Sequence, residues 1–280
     1  MKKKFKNLIK RFAGILRKPE MQVLPGQLAF YFLMSFVPIF ALTSLIGATI
    51  NENINLSQTL INNMPAALSS IILPFVESPT SSTSFIILLM GYMILGLNGP
   101  KSIIRTCNTI YGVKNPGFIK MTIKAIFMII IIIALLLFMV FIPILGDIII
   151  KFVINLFENP ASFYKYSYLY EIIKVVVSFL FIYIAIKLIY TLAPDKKIKS
   201  SSTTIGALFT TCCWIIFSEI FSFYITKVAR YNALYGNFAN ILILLLWLYF
   251  LAYLFVAGLA LNVNFYKESY IVGSEENGEV

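Results

Sequence analysis

A few polar and charged side chains stand inside stretches that are otherwise almost wholly apolar, and chemistry would have to start from them. Glu219, beside Ser218, lies in the run Thr203–Thr226, and Lys174 and Lys187 lie in Glu171–Leu192. Gln27, Tyr31 and Ser35 are four apart, which stacks them on one helical face. Asn98, Ser102, Arg105 and Asn108 with Thr109 also recur at helical spacing. At membrane depth a charge costs about 2.5–3.5 kcal/mol on insertion scales, so it pairs, or faces water or protein. Glu219 is placed about seven residues from the outer end of its run and Lys174 about three. At ~1.5 Å per residue their depths differ by roughly 6 Å, so an ion pair is within reach. A site on a transport path is the other reading of Glu219. Gln27, Tyr31 and Ser35 form either helix–helix glue or a cavity wall. Arg105, with Asn98 and Asn108, either binds a lipid phosphate or anchors a helix end. Lys187 can snorkel to the interface.

Other chemistries find no residues. The chain has no histidine, hence neither the commonest general base nor the commonest metal ligand. Cys107, Cys212 and Cys213 form no metal-ligand or disulfide pattern, and the 12 acids are scattered. No phosphate-binding loop, nucleotide fingerprint or nucleophile elbow is present. The sequence therefore predicts no enzyme, no metal and no cofactor.

The elements that must position these side chains are membrane spans. Of 280 residues, 59% are hydrophobic and 12% charged, with a mean hydropathy of +0.86; soluble domains carry roughly 25% charged residues. Leu28–Ile50 is uncharged for 23 residues, roughly 34 Å as a helix. Eight Lys/Arg precede it in Met1–Lys18, and none falls in 51–84. Positive flanks stay inside, so this span runs outward. The pattern predicts an all-α bundle of six spans, at about 28–50, 82–104, 125–145, 171–192, 203–226 and 238–263, with both termini cytoplasmic. Of the 23 Lys/Arg, this map puts 17 on the inner side, counting Lys101 at the inner end of the second span, five on the outer side, counting Lys174 near the outer end of the fourth, and Lys187 within a span. The net charge of +11 thus reads as topology and contact with anionic headgroups rather than nucleic-acid binding.

Around the spans, residues 1–27 form a basic leader with an amphipathic helix on the cytoplasmic surface, and Pro25-Gly26 is expected to break the chain before the first span. Residues 51–84 read as short helices on the outer side. The second span is the shortest, and crosses only by running past Asn98-Gly99-Pro100. The tail 265–280 is acidic and reads as disordered.

Three stretches carry a resemblance: Leu28-Ala29-Phe30-Tyr31-Phe32 with Ser35-Phe36-Val37-Pro38; Ile104-Arg105-Thr106-Cys107-Asn108-Thr109-Ile110-Tyr111-Gly112-Val113; and Tyr190-Thr191-Leu192-Ala193-Pro194-Asp195-Lys196-Lys197 leading to Gly206-Ala207. With Tyr224, Tyr235-Gly236, Trp247 and Gly258 they resemble the YihY/virulence factor BrkB family of bacterial membrane proteins, over about Gly26 to Asn262. The resemblance implies six helices in the bacterial cytoplasmic membrane. Members are linked to envelope integrity, serum resistance and lipid or lipopolysaccharide export, and the family long carried a ribonuclease label. Where the family has Gly-Ala-Glu near the end of its last span, this chain has Gly258-Leu259-Ala260-Leu261-Asn262, so no role for that acid carries over.

Two functions follow as expectations. One is a transporter or lipid-handling protein, with membrane lipids and a lipid or small solute as partners. The other is a non-transporting envelope scaffold. Homo-oligomerisation stays open. Ribonuclease activity is not expected, because metal-assisted RNA cleavage needs clustered carboxylates or histidines.

Overall fold

The computed structural model describes Gly14, Arg17 and residues 19–50, 90–91, 94–134, 161–227 and 239–276. Regular structure among these residues is helical throughout. We label the helices α1 (Pro19–Ile50), α2 (Asn98–Tyr111), α3 (118–134), α4 (Ala161–Leu192), α5 (Thr204–Lys227) and α6 (Ala239–Glu276); a 3₁₀ turn, Ser200–Thr203, leads into α5. Val175–Leu192, Ser200–Ile225 and Ile241–Val263 are long and apolar enough to cross a membrane. The leader up to residue 13, the outer segment 51–84, the outer part of the third span (135–145) and the loop 228–237 lie outside the described residues, as do the side chains of 161–174.

The core centres on α6. Leu244, Leu248, Ala252, Phe255, Val256 and Leu259 are buried there, against Met21, Leu24, Leu28 and Ala29 of α1, Ile103, Ile104 and Cys107 of α2, and Tyr190 and Ala207. The helices run antiparallel by register. On α5 and α6, Gly206 meets Asn262, Thr210 meets Leu254, and Trp214 meets Leu251. On α1 and the turn before α2, Ser35 meets Gly99 while Ile39 and Pro38 lie against Gly96. The start of α1, the loop after α2, the α4–α5 turn and Asn262 therefore gather at one end of the bundle.

Three local expectations change. Pro25-Gly26 does not end the chain's first element; α1 runs straight through both. Pro25 forfeits one backbone bond, but burial of Met21, Leu24, Leu28 and Ala29 on one helical face holds the helix. The second span is not continuous: a turn at Leu97 precedes the restart at Asn98. Pro100 cannot donate to a carbonyl one turn back, which forces the restart. Finally α6 carries on to Glu276, through most of a tail whose composition reads as irregular.

Candidate functional site

Among the described residues, the densest polar structure joins the C-terminal ends of α2 and α4 to the N-terminal end of α3. Gly112 ends α2 in the left-handed region at φ 67°, which glycine adopts without steric cost. Its N–H returns to the Thr109 carbonyl at 3.1 Å, and the Val113 N–H to Asn108 O at 2.8 Å. This closure leaves the Asn108 side chain, fully buried, aimed at the α4–α5 turn. Asn108 Nδ2 donates to Asp195 Oδ2 at 3.0 Å and to Asn115 Oδ1 at 3.2 Å. In return the Asp195 N–H donates to Asn108 Oδ1 at 2.8 Å. Lys124 Nζ, from α3, donates to Asp195 Oδ1 at 3.1 Å and to the Pro194 carbonyl at 2.8 Å. Lys120 Nζ stands farther from Asp195 Oδ1, at 3.7 Å.

Desolvation pushes the Asp195 carboxyl's pKa up, but the bonds from Asn108 and Lys124 and the charges of Lys124 and Lys120 outweigh it and hold it below the usual carboxylate range. Asp195 is thus a fixed anion whose charge is already answered, which suits a clamp better than a proton carrier.

A second polar seam lies between α4, α5 and α6. The Tyr190 hydroxyl donates to the Phe255 carbonyl at 2.6 Å and meets Thr210 Oγ1 at 2.7 Å. The Gly206 N–H donates to Asn262 Oδ1 at 2.8 Å, and Asn262 is fully buried. Gly206 and Gly258 face each other so closely that a Cβ on Gly206 would collide with the Gly258 carbonyl, and one on Gly258 with Thr210 Oγ1. Small residues that let membrane helices approach this closely commonly form their interfaces.

An open groove of about 830 Å³ flanks the N-terminal end of α3, lined by Gly117, Phe118, Ile119, Lys120, Ile123, Lys124 and Asp195. A smaller one of about 450 Å³ lies between α1 and α6, where Phe30 and Tyr249 take part in its wall.

The residues singled out from sequence scatter over this framework. Ser35 is buried and acts as glue: its hydroxyl donates to the Tyr31 carbonyl at 2.7 Å and accepts the Gly99 N–H at 2.5 Å, capping α2 from a neighbouring helix. Tyr31 is half-buried and Gln27 exposed, so that stripe divides between packing and surface. Asn98 is half-buried, Arg105 exposed and Asn108 buried; the three do not form one cluster, because α2 turns Asn108 toward Asp195 and leaves Arg105 outside. Glu219 is exposed beside exposed Ile220, with Ser218 half-buried. The packed face of α5 runs through Ala207, Thr210 and Trp214, and Glu219 lies roughly 140° around from Trp214 at 100° per residue. Its expected partner, the side chain of Lys174, lies outside the described residues. Lys187 Nζ lies 5.6 Å over the Tyr183 ring, a cation–π distance.

Asp195, Lys124, Asn115, Tyr190, Thr210 and Asn262 did not stand out as site residues. The only signal was indirect: Asn108, Tyr190, Asp195, Gly206 and Gly258 all stand in the stretches that carried the family resemblance.

Comparison with known proteins now decides the family. The model of the family described as Virulence factor BrkB matches residues 15–278. The chain belongs to this BrkB family. Similar proteins include the putative ribonuclease-like protein YfkH of Bacillus subtilis (strain 168), 28% identical over 254 residues, which is 89% of this chain and 91% of that protein. A UPF0761 membrane protein of Idiomarina loihiensis is 31% identical over 98 residues, 35% of this chain and 33% of its own. One from Haemophilus influenzae (strain PittEE) is 35% identical over 72 residues, 26% of this chain and 27% of its own. No solved structure matches. With its apolar helices, this BrkB-family chain is a membrane protein.

Proposed function

We propose that this BrkB-family protein is a bacterial cytoplasmic-membrane protein that handles lipid or another amphiphilic envelope component, without ATP hydrolysis. The observation that supports this most is the shape and chemistry of the groove at the N-terminal end of α3. It is open, with apolar walls at Phe118, Ile119 and Ile123 and lysines at Lys120 and Lys124. A solute channel calls for an enclosed polar path; an open groove with an apolar wall and a cationic rim suits a molecule with a tail and a charged head.

Liposomes carrying the purified full-length protein test this. Fluorescent phospholipid should move between leaflets faster than in protein-free vesicles. Lipid movement and solute efflux both equal to those of protein-free vesicles would end the proposal.

One feature favours the alternative, a non-transporting scaffold: α6 continues 13 residues beyond Val263, roughly 20 Å of helix at 1.5 Å per residue, long enough to reach a protein partner. Membrane crosslinking that captures a stoichiometric protein partner, with no flux, would select it. The ribonuclease-like name of the Bacillus protein is not extended to this chain. Its acids are dispersed and it has no histidine, so we assign no catalytic step and no nucleic-acid partner.

A further inference from the structure

We propose that the groove at the start of α3 is a docking site for the phosphate headgroup of an anionic membrane lipid, with Lys120 as its principal cation and the outer stripe of α3 as the bed for an acyl chain. The inference deepens the lipid-handling function above and rests on it for the nature of the cargo.

Three observations carry it. First, the apolar wall continues past the groove. Phe118 and Ile119 are 79% and 74% exposed, and exposed Ile123, Phe127 and Ile130 follow. From Ile119 their spacing of four, four and three keeps them on one side of α3, for roughly 16 Å at 1.5 Å per residue. An acyl chain lying along this stripe would have its head at the groove.

Second, the charge at the groove is lopsided. Lys120, Lys124 and Asp195 line it, and Lys101 Nζ stands 4.9 Å over the Phe118 ring that forms its wall. Asp195 is the single acid among the described residues that line it, and Lys124 and Asn108 already engage both its carboxylate oxygens. The excess positive charge complements a phosphodiester.

Third, the two lysines that line the groove are not equivalent. The Lys124 side chain is 21% exposed and bonded to both Asp195 and Pro194 O, whereas Lys120 is 74% exposed and 3.7 Å from Asp195. Lys124 holds the clamp together, and Lys120 can swing to a ligand at little cost to it.

The test is equilibrium binding to the full-length protein in neutral detergent, read as protection against thermal unfolding. The probes are phosphatidylglycerol, phosphatidylcholine and inorganic phosphate. Phosphatidylglycerol should protect, phosphatidylcholine should protect far less, and inorganic phosphate should neither protect nor compete. Lys120→Gln should weaken phosphatidylglycerol binding about fivefold, the size of effect one cation has at an anionic surface. Lys197→Gln, exposed and outside the groove, should leave it unchanged. Phe118→Ala should weaken it further when combined with Lys120→Gln. Equal protection by the two lipids, competition by inorganic phosphate, or equal effects of the Lys120 and Lys197 substitutions would each overturn the site. Binding does not depend on flux. Lipid movement without selective binding would remove the site and keep the function, and selective binding without movement would do the reverse.

Discussion

Asn108 shows how one side chain can hold three helix ends. Its amide donates to Asp195 and Asn115 and accepts the Asp195 N–H, and it is fully buried. Hydrogen bonds to charged groups contribute about 1.5–3 kcal/mol. Asn108→Ala should therefore lower stability by about 2–3 kcal/mol. Asn108→Asp should cost more, since it loses the donor and sets a second carboxylate against Asp195; thermal unfolding in detergent ranks the pair. The same cluster fixes a pH dependence. The folded Asp195 pKa lies below its ordinary value, which is about 3.9 for a free aspartate. A lowered folded pKa adds stability that is fully present above the unfolded value and disappears as pH falls through the folded one. The Asp195 contribution should be complete at neutral pH and be lost below about pH 4. In Asp195→Asn that acid-side loss should shrink. Equal slopes of unfolding temperature against pH for the two proteins, between neutral and acid conditions, would show that Asp195 is not held as an anion.

Between helices, contact is set by absent side chains as much as by present ones. Gly258 faces Thr210 Oγ1 with no room for a Cβ, and the Gly206 carbonyl and Tyr190 hydroxyl each lie 2.8 Å from where one would be. Gly258→Ala must push α5 away from α6 and break the Tyr190–Thr210 and Gly206–Asn262 bonds together. Overpacking alone costs about 1–3 kcal/mol, so the substitution should strongly reduce the folded fraction seen by size exclusion. Gly91→Ala, with nothing within 4 Å of its new methyl, should not. Ser35→Ala tests the cap across helices. It strips the Gly99 N–H of its acceptor and should cost about 1 kcal/mol, the usual weight of an N-cap. At this scale the sequence was informative about helices and poor about partners. Apolar runs mark the helices α4, α5 and α6 because a bilayer demands them. The break at Leu97 is harder to see, because it depends on Ser35, 64 residues from the Gly99 N–H it accepts, satisfying the end that Pro100 creates. Helical spacing put Asn98, Arg105 and Asn108 together, but spacing alone does not say which neighbour each face meets. Burial on both sides of α2 pulled Asn108 in and left Arg105 out. Glu219 makes the same point: its place in an apolar run does not give its face, which follows from the phase of α5 set by Ala207, Thr210 and Trp214.

For the whole molecule, the arrangement across the bilayer is an expectation, and two features bear on it. The first is charge: 17 of 23 Lys/Arg fall in segments assigned to the inside, and positive segments stay cytoplasmic. The second is register. Lys124 and Asn108 bond to the α4–α5 turn, Asn262 bonds to the start of α5, and Ser35 with Ile39 sets the start of α1 toward the loop after α2. These contacts bring the entry to the first helix and the exit from the apolar part of α6 to one end of the bundle, the end that carries Lys101, Lys120 and Lys124. If that end faces the cytoplasm, fluorescent reporters fused to either terminus should light up inside, and periplasm-dependent reporters at the same places should stay silent. A cysteine placed at Lys197 should react with a membrane-impermeant thiol reagent only after the cells are opened, provided Cys107, Cys212 and Cys213 are first replaced by serine. Opposite signals from the two termini would mean an odd number of crossings. They would leave the polar clamp intact but remove the argument that the lysine-rimmed groove faces the inner leaflet, where anionic lipid attracts basic residues.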